Sequence, residues 1–186
     1  MIAFNVAQLL KADTGTVRRV EVNELDPDLA ADLHFVSPTV GSLRLMRTSA
    51  GILVTGKLTQ RVEATCSRCL ETFVREQTIE IDDEFVPVVD VNTGLGLPEP
   101  SDIDAFRVTS DHVLDLREAI RQYAIVESPL QPLCDEGCRG LCPSCGANLN
   151  LGACGCQPVP AAPPKGSLGA LLLERLREAG FKPEQE

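Results

Sequence analysis

Eight cysteines fall in two patches of a 186-residue chain, and their spacing is what most constrains how it can fold. Cys66-Ser67-Arg68-Cys69 is an isolated C-x2-C, while Cys134, Cys138, Cys142, Cys145, Cys154 and Cys156 follow as C-x3-C-x3-C-x2-C-x8-C-x-C. Zinc takes four thiolates in a tetrahedron, and a two-residue gap lets one tight turn aim two sulfurs at one ion. Eight thiols therefore provide for two four-cysteine zinc sites. A disulfide framework is the alternative for an even count, but it belongs to short secreted chains. The opening MIAFNVAQLLKADTG has no basic stretch followed by a long apolar run, so no signal peptide is expected. No apolar stretch approaches the ~18 residues that would span a membrane. A redox C-x2-C is expected in a βαβ context, which the pattern does not provide.

One C-x2-C cannot saturate an ion, so Cys66 and Cys69 need two thiolates from the later patch. The preferred partition joins them to Cys134 and Cys138 and leaves Cys142, Cys145, Cys154 and Cys156 to close a local second site. A competing partition joins Cys66 and Cys69 to Cys142 and Cys145, since both pairs sit in knuckle-like turns. Gly146 suits a left-handed turn beneath a metal. Four-sulfur sites leave no open coordination position, so their role is structural. Arg68, between two ligands, either offsets thiolate charge or faces a partner.

Around the cysteines the hydrophobic pattern is that of strands. Ile52, Val54, Leu58, Val62, Ala64 and Cys66 hold even positions, while Thr55, Lys57, Thr59, Arg61, Glu63 and Thr65 hold odd ones. This period of two marks a long strand with one buried face. It resumes after Cys69 with Phe73, Ile79, Ile81 and Phe85, which predicts an antiparallel hairpin carrying the C-x2-C at its tip. Val17–Val22 and Leu43–Thr48 read as further strands, the latter pairing with the hairpin through Ser49-Ala50-Gly51. Residues 2–11 read as a short strand or helical turn.

Asp115 and Glu118 form a D-x-x-E start signal for a helix from about Leu116 to Val126, ending before Ser128-Pro129. Its stripe of Leu116, Ala119, Ile120, Tyr123 and Ala124 suits packing across the sheet. Leu168, Leu171, Leu172, Leu176 and Ala179 mark a last amphipathic helix, for which core packing is the expectation. The sequence thus predicts an α+β chain with an antiparallel β-sheet, a long hairpin and a packed helix over residues 1–126. An acidic loop at 87–104 belongs to that part; a Cys-rich zinc-stapled segment at 127–156 and a Pro-rich linker with the C-terminal helix at 157–186 complete the chain.

The chain is acidic, with a formal net charge of −10. Each zinc on four thiolates carries about −2, so two sites deepen the total to about −14. Nine acids and no bases lie between Arg75 and Arg107: Glu76, Glu80, Asp82, Asp83, Glu84, Asp90, Glu99, Asp102 and Asp104. They form either a solvated strand face and loop or a docking surface for a basic partner. Phosphate backbones call instead for clustered Lys and Arg. His34 and His112 stand alone, and no phosphate loop, nucleophile elbow or H-E-x-x-H is present, so no enzymatic activity and no small-molecule substrate are expected.

Two strings in combination carry a resemblance. Cys66-Ser67-Arg68-Cys69-Leu70-Glu71-Thr72-Phe73 and the stretch from Pro132 to Asn150, containing Gly140-Leu141-Cys142-Pro143-Ser144-Cys145-Gly146, resemble the bacterial YceD family of large ribosomal RNA subunit accumulation proteins. The resemblance implies a cytoplasmic, non-enzymatic factor for synthesis, processing or stability of the large-subunit (23S) rRNA, and it brings no catalytic residues. A ribosomal protein or large-subunit assembly intermediate is the implied partner. On charge, masking of a basic ribosomal protein is favoured over direct RNA binding through Arg61, Arg68, Arg75 and Arg139, for which aromatic platforms are few. A redox-sensing zinc holdase is a third reading.

Overall fold

A computed structural model describes residues 2–26, 29, 33–98, 105–156 and 168–178. The chain divides into two compact units, residues 1–138 and 139–186, and the boundary falls inside the cysteine-rich segment. The first unit is built on one eight-stranded sheet. In chain order its elements are β1 (Ala3–Asn5), α1 (Ala7–Leu10), β2 (Val17–Glu24), β3 (His34–Phe35), β4 (Thr39–Arg47), β5 (Ile52–Thr65), β6 (Thr72–Pro87), β7 (Arg107–Val108), β8 (Val113–Asp115) and α2 (Arg117–Val126). The strands lie in the order β1-β8-β7-β6-β5-β4-β2, with β3 paired to β5.

The hairpin of β5 and β6 dominates. It pairs without interruption from Ile52↔Phe85 at its base to Thr65↔Thr72 at its tip. The even residues Ile52, Val54, Leu58 and Val62 and the odd residues Ile79, Ile81 and Phe85 are buried on the shared inner face. Two polar residues of the hairpin are fully buried on that face: Gln60 lies opposite Gln77, with the Thr39 hydroxyl donating to Gln60 Oε1 at 3.0 Å. β4 extends the sheet beyond β5 as expected, although it begins at Thr39 rather than near Leu43. Gly41 and a run of polar residues hide its first half from a hydrophobicity reading.

The sheet is mixed rather than purely antiparallel. β7 runs parallel to β6, through Val86↔Arg107 and Pro87↔Val108. Two-residue strands carry no periodicity, so neither β7 nor β3 leaves a readable pattern. The described part of the acidic loop is a tight excursion in which the Asp90 carboxylate accepts the amides of Asn92 (3.0 Å) and Thr93 (2.7 Å). Glu99, Asp102 and Asp104 lie outside the described residues, as do the 157–166 linker and Ala179.

α2 packs on the sheet through buried Ala119, Ile120 and Ala124, and Tyr123 donates its hydroxyl to Asp83 Oδ2 at 2.6 Å. The D-x-x-E signal does not become a capping box. Leu116 occupies the cap without a side-chain bond, Asp115 accepts the Arg117 amide, and Glu118 turns outward to Arg121 and Gln122. Asp115 is the last residue of β8, so strand pairing holds it one position too early for the box.

The second unit carries α3 (Leu168–Glu178), whose Leu168, Leu171, Leu172 and Leu176 are exposed. The buried apolar clusters of the described residues all lie at or before residue 138, so the second unit offers no core to receive the helix. Among the described residues no helix is long and apolar enough to cross a membrane.

β4 and β5 approach unusually closely around the Ser42↔Lys57 pair. A Cβ on Gly56 would sit 2.5 Å from the Ser42 carbonyl oxygen, and one on Gly41 would sit 2.2 Å from that of Lys57. Both glycines hold positive φ, near 153° and 154°. Gly56→Ala is therefore expected to destabilise the first unit by about 1–3 kcal/mol from backbone strain alone, with the clash added. Chemical denaturation measures it, and an unchanged midpoint would refute the close approach.

Candidate metal centres

β5 delivers Cys66 on its inward-facing parity, and the chain from Cys66 to Glu71 closes the hairpin as a knuckle. The Leu70 amide donates to the Cys66 carbonyl at 3.0 Å, and the Cys66 amide donates to the Glu71 carbonyl at 2.9 Å. Leu70 turns the chain with φ near 61°, a left-handed conformation that costs a non-glycine residue about 1–2 kcal/mol. The segment after α2 then runs past this tip. Ser67 donates its amide to the Pro132 carbonyl at 2.8 Å, and Arg68 Nη1 donates to the carbonyls of Cys138 (3.0 Å) and Glu136 (3.2 Å). Asp135 shapes the incoming turn by accepting the Gly137 amide on Oδ1 at 2.7 Å.

These contacts gather Cys66, Cys69, Cys134 and Cys138, whose sulfurs all lie within 4.8 Å of one another. Cys66 Sγ stands 3.7 Å from Cys138 Sγ, and Cys69 Sγ stands 3.7 Å from Cys134 Sγ. A sulfur tetrahedron around zinc at the usual bond length has edges of about 3.8 Å, whereas a disulfide needs about 2.05 Å. The spacing thus suits a shared ion and not a bridge. Cys66, Cys69 and Cys138 are buried, with Phe73 and Leu133 packed against them.

The second unit repeats the knuckle. The Gly146 amide donates to the Cys142 carbonyl and the Cys142 amide to the Ala147 carbonyl, both at 2.8 Å. Gly146 has φ near 72° at the position that Leu70 occupies in the first knuckle. Asn150 Oδ1 accepts the Arg139 amide at 2.8 Å, and Leu141 bridges to Asn148. Cys142, Cys145, Cys154 and Cys156 bring their sulfurs within 4.8 Å of one another. The structure therefore groups the eight cysteines by the first of the two partitions. His34 lies on β3 and His112 in the turn before β8, and neither joins a sulfur group.

Each tetrad has one thiol poised to ionise. Amides of Cys69 and Cys134 aimed at its sulfur bring Cys66 down to about 6, and those of Cys145 and Ser144 do the same for Cys142. Burial, with three neighbouring sulfurs, pushes Cys134 up to about 12. Cys156 reaches about 12 through Cys145 and Cys154, with burial adding to it. Each group thus offers a thiolate to start binding a soft cation, while Cys134 and Cys156 give up their protons most readily once a cation repays the charge.

The sequence reading missed the shaping residues. Leu70, Asp135 and Asn150 fix the turns that aim the sulfurs, and the exposed Arg68 also clasps the backbone of Glu136 and Cys138. Only Asp135-x-Gly137 carried a local signal, that of an Asx turn.

The family model of the large ribosomal RNA subunit accumulation protein YceD matches residues 54–172, which include all but the first two residues of the hairpin, α2 and both tetrads. The chain belongs to the YceD family. Uncharacterized proteins of Mycobacterium tuberculosis and Mycobacterium bovis are each 33% identical to this YceD-family chain over 107 residues, covering 58% of it and 49% of the relative. The chloroplastic large ribosomal RNA subunit accumulation protein YCED homolog 1 of Arabidopsis thaliana is 32% identical over 69 residues, 37% of this chain and 22% of that protein. The chain spans about half the length of the mycobacterial relatives it matches. No solved structure matches it.

Titration of the metal-free protein tests the thiol assignments. Thiolate absorbance is expected to show two early ionisations near pH 6, one lost in Cys66→Ser and the other in Cys142→Ser. Both groups are depressed on folding, so their contribution to stability is present above the unfolded value near 9 and is lost as pH falls through about 6. Cys134 and Cys156 are raised and act oppositely, costing stability between about 9 and 12. A single cooperative ionisation near 9 would contradict the arrangement.

Proposed function

We propose that this protein is a non-enzymatic, zinc-stapled factor that supports accumulation of large-subunit rRNA in the cytoplasm by engaging a basic ribosomal protein. The family supports the first part, since its name ties it to accumulation of the large ribosomal RNA subunit. Cys66, Cys69, Cys134 and Cys138 would hold one ion, and Cys142, Cys145, Cys154 and Cys156 the other. Four sulfurs per ion leave no position for a substrate or an activated water, so zinc supplies only cross-linking.

The observation that carries the partner class is the outward face of β6, where Glu76, Glu80 and Asp82 are exposed in a chain of net charge −10. Such a face attracts a cationic extension and repels a phosphate backbone. The face is narrower than its composition implies. Asp83 accepts from Tyr123, Glu84 from Thr48, Asp90 from its own turn, and Glu80 pairs with Lys57 at 3.2 Å. Glu76 and Asp82 are thus the carboxylates to test. Direct recognition of unstacked RNA bases has less support: among the described residues Phe35 and Phe85 are buried, and Phe4, Phe73, Phe106 and Tyr123 are half-buried.

Two experiments test these parts. Metal analysis of the purified protein is expected to find two zinc ions per chain, one lost in Cys66→Ser with a lowered melting temperature for the first unit. Cys142→Ser loses the other, and residues 139–156 lose hydrogen-exchange protection while the first unit melts as before. Full zinc content in either variant removes that cysteine from the ligand set. Affinity capture from lysate with and without ribonuclease is expected to retain a basic large-subunit protein in both, and Glu76→Gln with Asp82→Asn weakens that complex most at low salt. Recovery of ribonuclease-sensitive precursor rRNA alone would replace protein masking with direct RNA binding.

A further inference from the structure

β2 is an edge strand: β4 pairs with it on one side, and among the described residues no strand pairs with it on the other. Its free side can be assigned residue by residue. The Arg47 amide donates to the Thr16 carbonyl at 2.9 Å and its carbonyl accepts the Gly15 amide at 2.7 Å, a bulge at the start of the ladder that sets Arg47 and Thr16 at a hydrogen-bonded position. Such pairs alternate, so Arg18, Val20, Val22 and Glu24 bond to β4, whereas Val17, Arg19, Glu21 and Asn23 turn their N–H and C=O groups to the open edge. An eight-residue edge of this kind is a template for another strand, and natural sheets normally guard it with charge.

Here charges of both signs stand on the edge strand, and their order can select a partner. Arg19 and Glu21 are exposed on the outer face, opposite in sign and placed symmetrically about Val20. We infer that this edge pairs with the same edge of a second copy of the chain, antiparallel and with Val20 opposite Val20. In that register the open-edge residues meet one another, Val17 with Asn23 and Arg19 with Glu21, in both directions, forming about eight new backbone hydrogen bonds. Arg19 of each copy then faces Glu21 of the other. Within one chain Arg19 has Arg44 directly across the β2–β4 ladder, a like-charge opposition that a carboxylate on its open side offsets. On the inner face Val20 meets Val20. Arg18 meets Val22 with its guanidinium already engaged, donating from Nη1 to the Asn5 carbonyl at 2.8 Å. A shift by one residue along the edge would set the open-edge groups of one copy against side already bonded to β4, and a shift by two would break the Arg19–Glu21 match.

The edge precedes the matched family segment, which begins at residue 54, so this pairing is a property of the chain's own N-terminal part and is independent of both tetrads. Sedimentation of the zinc-replete full chain over a wide concentration range tests it. A two-fold dimer is expected, weakened by high salt. Arg19→Glu should raise its dissociation constant about tenfold or more, because each substitution acts twice, and adding Glu21→Arg should restore it. Glu21→Pro removes one outward N–H without touching the β4 ladder and should leave a folded monomer with unchanged circular dichroism. A chain that stays monomeric at the highest concentration overturns the inference. So does a dimer indifferent to Arg19→Glu and Glu21→Pro, or one that the charge swap fails to restore.

Discussion

The register of β5 against β6 is the constraint on which the rest of the structure depends. Its period of two sends Ile52, Val54, Leu58 and Val62 to one side, and by the same count it sends Cys66 there. A slip of one residue would turn the core outward and aim the first ligand away from Cys134 and Cys138. Hydrophobic burial thus selects the geometry of the sulfur cluster before any metal arrives. Leu70 shows how tightly the tip is determined, since it keeps a left-handed conformation that its side chain disfavours and that its counterpart Gly146 adopts freely.

The two tetrads share a knuckle but not its support. The first sits on a continuous sheet, is partly enclosed by Phe73 and Leu133, and is clasped by Ser67 and Arg68 to the chain beyond α2. The second has short-range backbone bonds and Asn150 around it and no apolar cluster among the described residues. Burial of apolar area is the main term that offsets chain entropy, so a unit without it depends on bonds of another kind. Four sulfurs gathered within 4.8 Å of one another could provide them by sharing one ion, as in other small domains too short to build a core.

Much of this was legible because periodicity and spacing are local signals. The hairpin, its tip and the α2 stripe all follow from residues a few positions apart, whereas spacing alone left two groupings of the cysteines open. What was not legible depended on distant partners. β3 and β7 exist only because β5 and β6 offer them an edge, and two residues cannot display a period. The parallel entry of β7 made the sheet mixed for the same reason. Asp115 looked like a cap but was already committed as the last residue of β8. α3 shows the converse failure: its amphipathic spacing predicts a buried face, yet no core of its own unit stands ready to cover it.

Charge follows the same logic of prior commitment. Net charge sets the long-range field, but a partner at contact distance meets only carboxylates that the fold has not already used. Across the outer face Arg61 of β5 stands opposite Glu76 of β6, and Lys57 opposite Glu80, so the sheet itself neutralises part of its acidic strand. Cross-strand pairs of this kind stabilise the hairpin by a few tenths of a kcal/mol each and tie the acidic face to the register that aims the cysteines. A cationic partner displaces those interactions rather than meeting bare carboxylates. Its binding energy is reduced accordingly, while its approach is still steered by the whole acidic chain.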